Sequence, residues 1–159
     1  MPAVALREVT DADVAAFYEH QADPVASRLA GVPSRSREDH DAHWRRIRED
    51  PAVVIRTVLV DGDVAGQVLS FPRDGVRELG YWLDRAQWGR GVAGAAVAAF
   101  LPLVPERPLH AVVAEHNVAS RRVLERLGFA QVGVKSPDAL VLRLDRGWPA
   151  QPARGQDSP

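Results

Sequence analysis

The sequence predicts a mixed α/β fold (α+β) with a mostly antiparallel sheet, for three reasons. Two apolar, β-branched runs at 52–60 and 63–71 are joined by Asp61-Gly62, a dipeptide typical of a β-hairpin. Segments that begin with helix-capping residues separate the other strand-like runs. Hydrophobic residues make up 46% of the 159 residues, which is enough for one buried core. We therefore expect a single domain over residues 1–145.

The first half of the chain predicts three helices between a short strand and the hairpin. Thr10, Asp23 and Ser36 are residue types that cap helices well, and Pro24 suits a first helical position. Ser36 and Asp39 also have the spacing of a capping box. The expected elements are a strand at 4–7 and helices at about 11–21, 24–31 and 37–49.

The second half predicts strands that alternate with two helices. Pro102 should end the first of these helices, while Asn117 can cap the second and Gly128 can close it. The expected strands are 76–83, 109–114, 131–134 and 139–144. One helix should follow the glycine-rich turn at 89–94, and the other should span 118–127. Residues 146–159 are rich in Pro, Gly, Gln and Ser, and this composition predicts a disordered tail.

Composition argues against several classes of partner. The net charge of −1 gives no general attraction to nucleic acid or to an acidic membrane. No apolar stretch approaches the roughly 18 residues of a membrane span, and the N-terminus does not resemble a signal peptide. The chain has no cysteine, which excludes disulfides and thiolate metal sites. We expect a cytoplasmic protein that binds neither nucleic acid nor membranes.

Two histidines on the third predicted helix raise the question of a metal site. His40 and His43 are three residues apart, but no matching set of acidic or histidine partners is visible in the sequence. We interpret both as surface histidines on a polar helix, and we expect no bound metal.

Three closely spaced glycines form the most informative motif. Gly89, Gly91 and Gly94 lead directly into an Ala/Val-rich helical run. A glycine-rich turn that opens a helix directs several backbone N–H groups, and the positive end of the helix dipole, at one point. The motif therefore predicts a site for a phosphate group.

One interpretation of the glycines is a dinucleotide-binding fold. The spacing fits its G-x-G-x-x-G motif, and Glu115 lies about 20 residues further on, where a ribose-binding acid would be expected. However, residues 84–88 separate the glycines from the preceding strand. The hairpin pattern of the first half also lacks the alternating strands and helices of that fold. The sequence context therefore disfavours this interpretation.

The same residues resemble the pyrophosphate loop of the GNAT (Gcn5-related) N-acetyltransferases, Q/R-x-x-G-x-G/A. The match runs from Trp88 to Ala93, with Trp in the first place. Asn117-x-x-Ser120, with the nine residues up to Phe129, resembles the downstream signature of the family. Trp88 and the preceding Gly-Tyr-Trp-Leu segment at 80–83 resemble the branch of RimJ/RimL-like ribosomal-protein N-terminal acetyltransferases.

The resemblance extends over residues 6–144 and implies the GNAT fold and acetyl-CoA as co-substrate. In that fold two neighbouring parallel strands splay apart, here 76–83 and 109–114, and helices cover both faces of the sheet. The backbone at 81–83 would pair with the pantetheine arm, and the turn at 89–94 would hold the pyrophosphate. The implied acetyl-CoA-binding residues are Tyr81, Trp82, Leu83, Trp88, Gly89, Arg90, Gly91, Val92, Ala93, Gly94, Asn117 and Ser120.

Some of these assignments leave alternatives open. Asn117 can contact pantetheine or can serve only as the helix cap. Arg121 and Arg122 can assist with the CoA phosphates, whereas the row of arginines that they form with Arg126 is also typical of a solvated helix face.

The resemblance also suggests catalytic residues. Many family members have a tyrosine acid at the position of Leu124, which cannot donate a proton. In the RimJ/RimL-like branch the serine has this role, so Ser120 is the candidate acid. A backbone N–H near Leu83 can stabilise the thioester oxygen. Glu78 is the candidate base; the alternatives are Glu49, Glu115, His116 or a chain of water molecules.

Two functional hypotheses follow. The first is an N-acetyltransferase whose acceptor is a protein N-terminus or a small amine such as an antibiotic or a polyamine, bound by the first two helices, the loop at 31–36 and the closing hairpin. The second is a catalytically silent acyl-CoA-binding module that acts in sensing or interaction. In either case we expect a monomer or a homodimer.

Overall fold

The computed structural model describes residues 1–146, and these contain seven strands and five α-helices. The predicted tail therefore lies outside the described residues from position 147 onward. The elements are β1 (Val4–Arg7), α1 (Asp11–Ala22), α2 (Pro24–Ala30), α3 (Arg37–Glu49), β2 (Val54–Val60), β3 (Asp63–Arg73), β4 (Val76–Leu83), α4 (Val92–Phe100), β5 (Leu109–Ala114), α5 (Val118–Arg126), β6 (Ala130–Ser136) and β7 (Ala139–Leu144).

The strands form one sheet in the order β1-β2-β3-β4-β5-β7-β6. Every neighbouring pair is antiparallel except β4 and β5, which are parallel. Their pairing is restricted to Arg77–Leu79 against Leu109–Ala111, although both strands continue further. The strands thus diverge at their carboxyl ends. The predicted mixed sheet with a splayed parallel pair is confirmed.

Helices cover both faces of the sheet. Val68 and Leu69 are adjacent on β3 and point to opposite faces, where they pack into two different cores. The larger core contains α4 and α5, and the smaller core is built on Phe17 of α1, Trp44 of α3 and Ile55 of β2. This arrangement leaves the splayed ends of β4 and β5 as the opening in the sheet.

Several element boundaries differ from the prediction. β2 begins at Val54 because the side chain of Asp50 accepts the N–H of Ala52 (2.9 Å), which forms a turn where strand was expected. The expected capping box at Ser36 is one-sided, since the Ser36 hydroxyl accepts the N–H of Asp39 but the Asp39 carboxylate accepts no hydrogen bond from the Ser36 N–H within the described chain. The reciprocal box is formed at the start of α1 instead, between Thr10 and Asp13.

The interpretation of His40 as a surface histidine is wrong. Its side chain is buried between the rings of Tyr18 and Trp44, because His40, Trp44 and Ile47 share the face of α3 that packs toward the sheet. Burial lowers the pKa of His40. Within residues 1–146, no group of three or more His, Cys, Asp and Glu residues is placed to hold a metal ion.

No helix in the described part of the chain is both long and apolar enough to cross a lipid bilayer. The longest one, α3, has 13 residues and is strongly charged.

Gly66 allows β3 and β4 to approach closely just before the sheet opens. A Cβ at this position would lie 2.1 Å from the carbonyl oxygen of Trp82 and 2.9 Å from the Cα of Leu83. We expect Gly66→Ala to lower the free energy of unfolding by about 2 kcal/mol, because backbone must move to admit the methyl group. Gly133→Ala is the matched control, since no atom lies within 4 Å of its added Cβ. Equal stability of the two variants in urea unfolding would contradict the argument.

Candidate active site

A cleft of about 430 Å³ lies where β4 and β5 diverge. It is enclosed by α2, the end of β4, the glycine-rich turn with the start of α4, and α5. Its lining residues are Ala26, Leu29, Ala30, Tyr81, Trp82, Leu83, Gln87, Trp88, Gly89, Gly91, Val92, Ala93, Gly94, Asn117, Ala119, Ser120, Arg122, Val123 and Arg126.

All but one of the residues predicted to bind acetyl-CoA line this cleft. The exception is Arg90, whose guanidinium donates a hydrogen bond to Oε1 of Gln87 (2.6 Å) on the exposed side of the turn. The cleft also includes Ala26, Leu29 and Ala30 of α2, which belong to no motif; α2 was expected only at the acceptor site. Arg126 was also missed as a cleft residue, although it lies one helical turn after Arg122.

The glycine-rich turn leaves the start of α4 open to the cleft. Gly89 and Gly91 have φ values of 74° and 77°, a left-handed conformation that favours glycine. Gly91 is the N-cap of α4 and makes no side-chain capping bond, so the first N–H groups of the helix remain available to a ligand. This is the geometry of an anion site.

The charges around the cleft favour an anion as well. Arg122 and Arg126 line it, whereas no acidic side chain in residues 1–146 does so. Arg121, the other arginine considered for phosphate contact, does not line the cleft, and its guanidinium lies 3.8 Å from the carboxylate of Glu125. Of the two arginines predicted to assist with the CoA phosphates, only Arg122 therefore lines the cleft.

Trp88 joins the turn to the end of β4. Its indole N–H donates a hydrogen bond to the carbonyl oxygen of Leu83 (3.3 Å), and its side chain forms part of the cleft wall. A Gln or Arg, the usual family residue here, would offer a longer and more flexible donor. The Trp thus holds one carbonyl of the splayed strand and adds an apolar surface.

Asn117 and Ser120 face the cleft from the start of α5. Oδ1 of Asn117 accepts the backbone N–H of Ser120 (3.2 Å), so the predicted helix cap is present. Its Nδ2 has no hydrogen-bond partner within the described chain and is available to a ligand. The capping and ligand-binding roles of Asn117 are therefore compatible. Leu124, in contrast, is buried in the main core.

The side chain of Tyr81 is a site residue that sequence reasoning missed. Its hydroxyl oxygen lies 2.5 Å from Oγ of Ser120, and both residues line the cleft. Burial raises the pKa of the Tyr81 phenol, and the hydrogen bond with Ser120 opposes this by a smaller amount. Strand alternation could have shown the direction of Tyr81, because it shares a face with the core residues Leu79 and Leu83.

None of the candidate bases lines the cleft. Glu78 is buried on the face of β4 opposite Tyr81, and its carboxylate lies 3.3 Å from the guanidinium of Arg73. Glu49 lines a separate groove beside α1. Glu115 and His116 are exposed beyond β5, where Nε2 of His116 is hydrogen-bonded to the carbonyl of Arg28 (2.8 Å).

Solved structures with the same fold include several acetyltransferases. The chain is similar to a domain from Methanocaldococcus jannaschii DSM 2661 (TM-score 0.78, 17% identity, covering 92% of this chain and 100% of that one). It is also similar to aminoglycoside acetyltransferase AAC(6')-Ib in complex with coenzyme A (TM-score 0.76, 20% identity, 91% and 95% covered). A third is spermidine N-acetyltransferase from Vibrio cholerae in complex with CoA and spermine (TM-score 0.73, 14% identity, 88% and 92% covered).

Comparison with curated protein sequences gives no significant match. The family model described as "Acetyltransferase (GNAT) domain", however, matches residues 4–130, which is most of the chain and includes the splayed strands, the glycine-rich turn and α5. The chain therefore belongs to the GNAT acetyltransferase family.

Proposed function

We propose that this protein is an acetyl-CoA-dependent N-acetyltransferase in which a primary amine attacks the thioester directly. The observation that carries the proposal is the cleft itself, which joins an open helix N-terminus to the unpaired end of a strand. An elongated molecule with a diphosphate at one end and amide groups along its arm matches these two features.

Acetyl-CoA would lie along the opening in the sheet. Its diphosphate would accept hydrogen bonds from the turn at residues 89–94, with Arg122 and Arg126 on the opposite wall. Its pantetheine amides would pair with Asn117 and with the backbone of β4 at residues 81–83, which β5 does not cover. In this arrangement the thioester would lie near the pair of hydroxyls formed by Tyr81 and Ser120.

The reaction moves one acetyl group and conserves protons. The amine nitrogen donates its lone pair to the carbonyl carbon, and the backbone N–H near Leu83 stabilises the oxygen that becomes negative. The C–S bond then breaks, and sulfur leaves with the electron pair while Ser120, as the acid, directs its O–H at it. The amine loses one proton to a base and CoA gains one as a thiol.

Glu78 is the proposed base, and it would act through water. A free amine with a pKa of about 8 is partly deprotonated near neutral pH, so a weak or distant base is sufficient. Glu78 lies on the side of β4 opposite Ser120, which suits an amine that approaches the thioester from the other face of the sheet. Its carboxylate is paired with the guanidinium of Arg73.

The acceptor is a primary amine in a protein N-terminus or in a small molecule. Similarity in the Trp88 region to RimJ/RimL-like enzymes supports the first, and the folds of the aminoglycoside and spermidine enzymes support the second. We propose that the acceptor site lies beside α1, α2, the loop at residues 31–36 and the closing hairpin. We further propose that the protein is cytoplasmic and is a monomer or a homodimer.

A panel of acceptors tests this function. We expect amine-dependent release of the CoA thiol from acetyl-CoA with at least one member of a set that contains short peptides with free N-termini, polyamines and aminoglycosides. N-acetylated versions of the same compounds are the matched controls and should release nothing. Absence of amine-dependent release across the panel would contradict the proposed activity.

The alternative is a catalytically silent acyl-CoA-binding module, which the aliphatic Leu124 favours. The same panel distinguishes the two functions when it is combined with calorimetry. Binding of acetyl-CoA without turnover would support the silent module, whereas turnover with any acceptor excludes it.

A further inference from the structure

The hydroxyls of Tyr81 and Ser120 form a pair that neither the family motif nor the Ser120 assignment requires. We propose that Tyr81 is a positioning residue, whose phenol donates a hydrogen bond to Oγ of Ser120 and thereby directs the Ser120 proton at the sulfur of CoA. This inference rests on the proposed function, because it assigns a role within the same reaction.

Two fixed contacts hold Ser120 in this arrangement. Its backbone N–H is bound by Oδ1 of Asn117 (3.2 Å), and its Oγ lies 2.5 Å from the phenol oxygen of Tyr81. Tyr81 is held on β4 and Ser120 on α5, so the pair spans the cleft between a strand and a helix. A lone serine in the first turn of a helix would rotate freely among its rotamers.

The chemistry of the two hydroxyls determines the direction of the hydrogen bond. A phenol is a stronger acid than an aliphatic alcohol, so Tyr81 is the better donor and Ser120 the acceptor. The hydroxyl proton of Ser120 is then not used in the bond with Tyr81 and can be donated to a ligand in the cleft. Because burial raises the pKa of Tyr81, the phenol keeps its proton throughout the physiological pH range.

The pair would act on the sulfur as the C–S bond breaks. Sulfur takes up the bonding electron pair and becomes a thiolate, which accepts the Ser120 hydrogen bond, while the phenol polarises that hydroxyl further. A thiol has a pKa of about 8.5 and a phenol about 10, so the pair first stabilises the thiolate as a hydrogen-bonded anion. The sulfur then takes the Ser120 proton and the serine regains one from solvent, which balances the proton that the amine lost.

The first test measures the pKa of the CoA thiol in the bound state, from the ultraviolet absorbance of the thiolate during a pH titration. In the unmodified protein we expect a value below that of free CoA, which Tyr81→Phe and Ser120→Ala should each raise. Arg122 and Arg126 also line the cleft, and any effect of their charge on this pKa is the same in all variants. Tyr18→Phe is the matched control, because Tyr18 is the other tyrosine of the chain and contacts Arg37 and His40 of α3.

The second test is a double-mutant cycle on turnover. We expect Tyr81→Phe and Ser120→Ala each to lower kcat by about 10-fold or more, with the KM for acetyl-CoA nearly unchanged in Tyr81→Phe. The double variant should be no slower than Ser120→Ala, because Tyr81 acts through that serine. Multiplicative effects in the double variant would overturn the inference.

A titration of tyrosine itself covers the case in which Tyr81→Phe is poorly folded. With only two tyrosines in the chain, phenolate absorbance resolves Tyr81. Ser120→Ala should raise the pKa of Tyr81, because the Ser120 hydroxyl can turn and donate to the phenolate, and this stabilisation is lost. The same Tyr81 pKa in Ser120→Ala and in the unmodified protein would overturn the proposed hydrogen bond between Tyr81 and Ser120.

These outcomes separate the inference from the proposed function. If the unmodified protein fails to bind CoA or to turn over any amine, the proposed function fails and the inference fails with it. If it turns over and Tyr81→Phe retains both the kcat and the bound-thiol pKa of the unmodified protein, only the inference fails.

Discussion

Gly94→Asp is expected to weaken the binding of acetyl-CoA by about 100-fold and to leave the protein folded. Gly94 lies in the first turn of α4 and lines the cleft, and no heavy atom lies within 4 Å of the Cβ that a side chain would add. An Asp carboxylate there would stand against the diphosphate. A like-charge contact near 5 Å costs about 3 kcal/mol at an effective dielectric constant of about 20, which corresponds to roughly 100-fold in Kd.

Gly94 is a cleaner position for this test than Gly91. Gly91 has a φ of 77°, so any side chain there strains the backbone. Gly91→Asp would therefore weaken binding both through this strain and through its charge. In α4, an Asp in the first turn favours the helix, and Gly94→Ala supplies the matched control without charge.

Calorimetry and thermal unfolding provide the readouts. Acetyl-CoA should raise the Tm of the unmodified protein and of Gly94→Ala but not that of Gly94→Asp, and NAD should raise none of the three. Tight binding of acetyl-CoA by Gly94→Asp would show that the glycine-rich turn does not hold the diphosphate.

The second large effect is expected at Asp13 of α1, whose carboxylate links this helix to β1 and β2. Its carboxylate is 2% exposed and accepts hydrogen bonds from Arg7 on β1 (2.5 and 3.0 Å), from the Thr10 N–H (2.9 Å) and from the Thr57 hydroxyl on β2 (2.8 Å). Burial raises the pKa of Asp13, but the hydrogen bonds and charge of its partners more than compensate and lower it to about 2.

Asp13→Asn is expected to lower the free energy of unfolding by about 3 kcal/mol at neutral pH, because it leaves Arg7 without its anionic partner. The Tm should fall by about 10 °C. Asp11→Asn is the matched control: Asp11 is also paired with an arginine, Arg48 (2.7 Å), but its side chain is 98% exposed. We expect it to change stability by less than about 1 kcal/mol.

The pH dependence gives a second measurement on Asp13. Its folded pKa lies below the ordinary value of 3.8, so the carboxylate stabilises the fold above that value and loses this contribution as the pH falls toward about 2. The shift corresponds to about 2 kcal/mol. Urea unfolding in acid should show this loss in the unmodified protein and in Asp11→Asn, and a smaller one in Asp13→Asn. Identical acid profiles for all three would contradict the assigned role.

Elements with strong local signals could be predicted from sequence. The bounds of β4, β5 and β7 agree with the prediction, because apolar runs there are bordered by turn residues. The burial of His40 could not be predicted in this way. It depends on α3 packing against Tyr18 of α1, which is a tertiary contact that the polar composition of α3 conceals.

Part of the candidate site could likewise be predicted from sequence, and part could not. The turn at 89–94 and the start of α5 belong to continuous motifs, so their residues could be named in advance. The wall formed by α2 consists of Ala and Leu, which have no distinctive chemistry. The contact between Tyr81 and Ser120 spans 39 residues of sequence and depends on how α5 docks onto the sheet.

In the proposed reaction the cleft delivers an acetyl group from CoA to an amine nitrogen. The most direct measurement is mass spectrometry of a single turnover with isotopically labelled acetyl-CoA and the best acceptor of the panel. We predict that the label appears on the amine nitrogen, one acetyl group for each CoA thiol released, with the unmodified protein and Gly94→Ala but not with Gly94→Asp. Release of the label only as free acetate, or equal labelling by Gly94→Asp, would contradict the account.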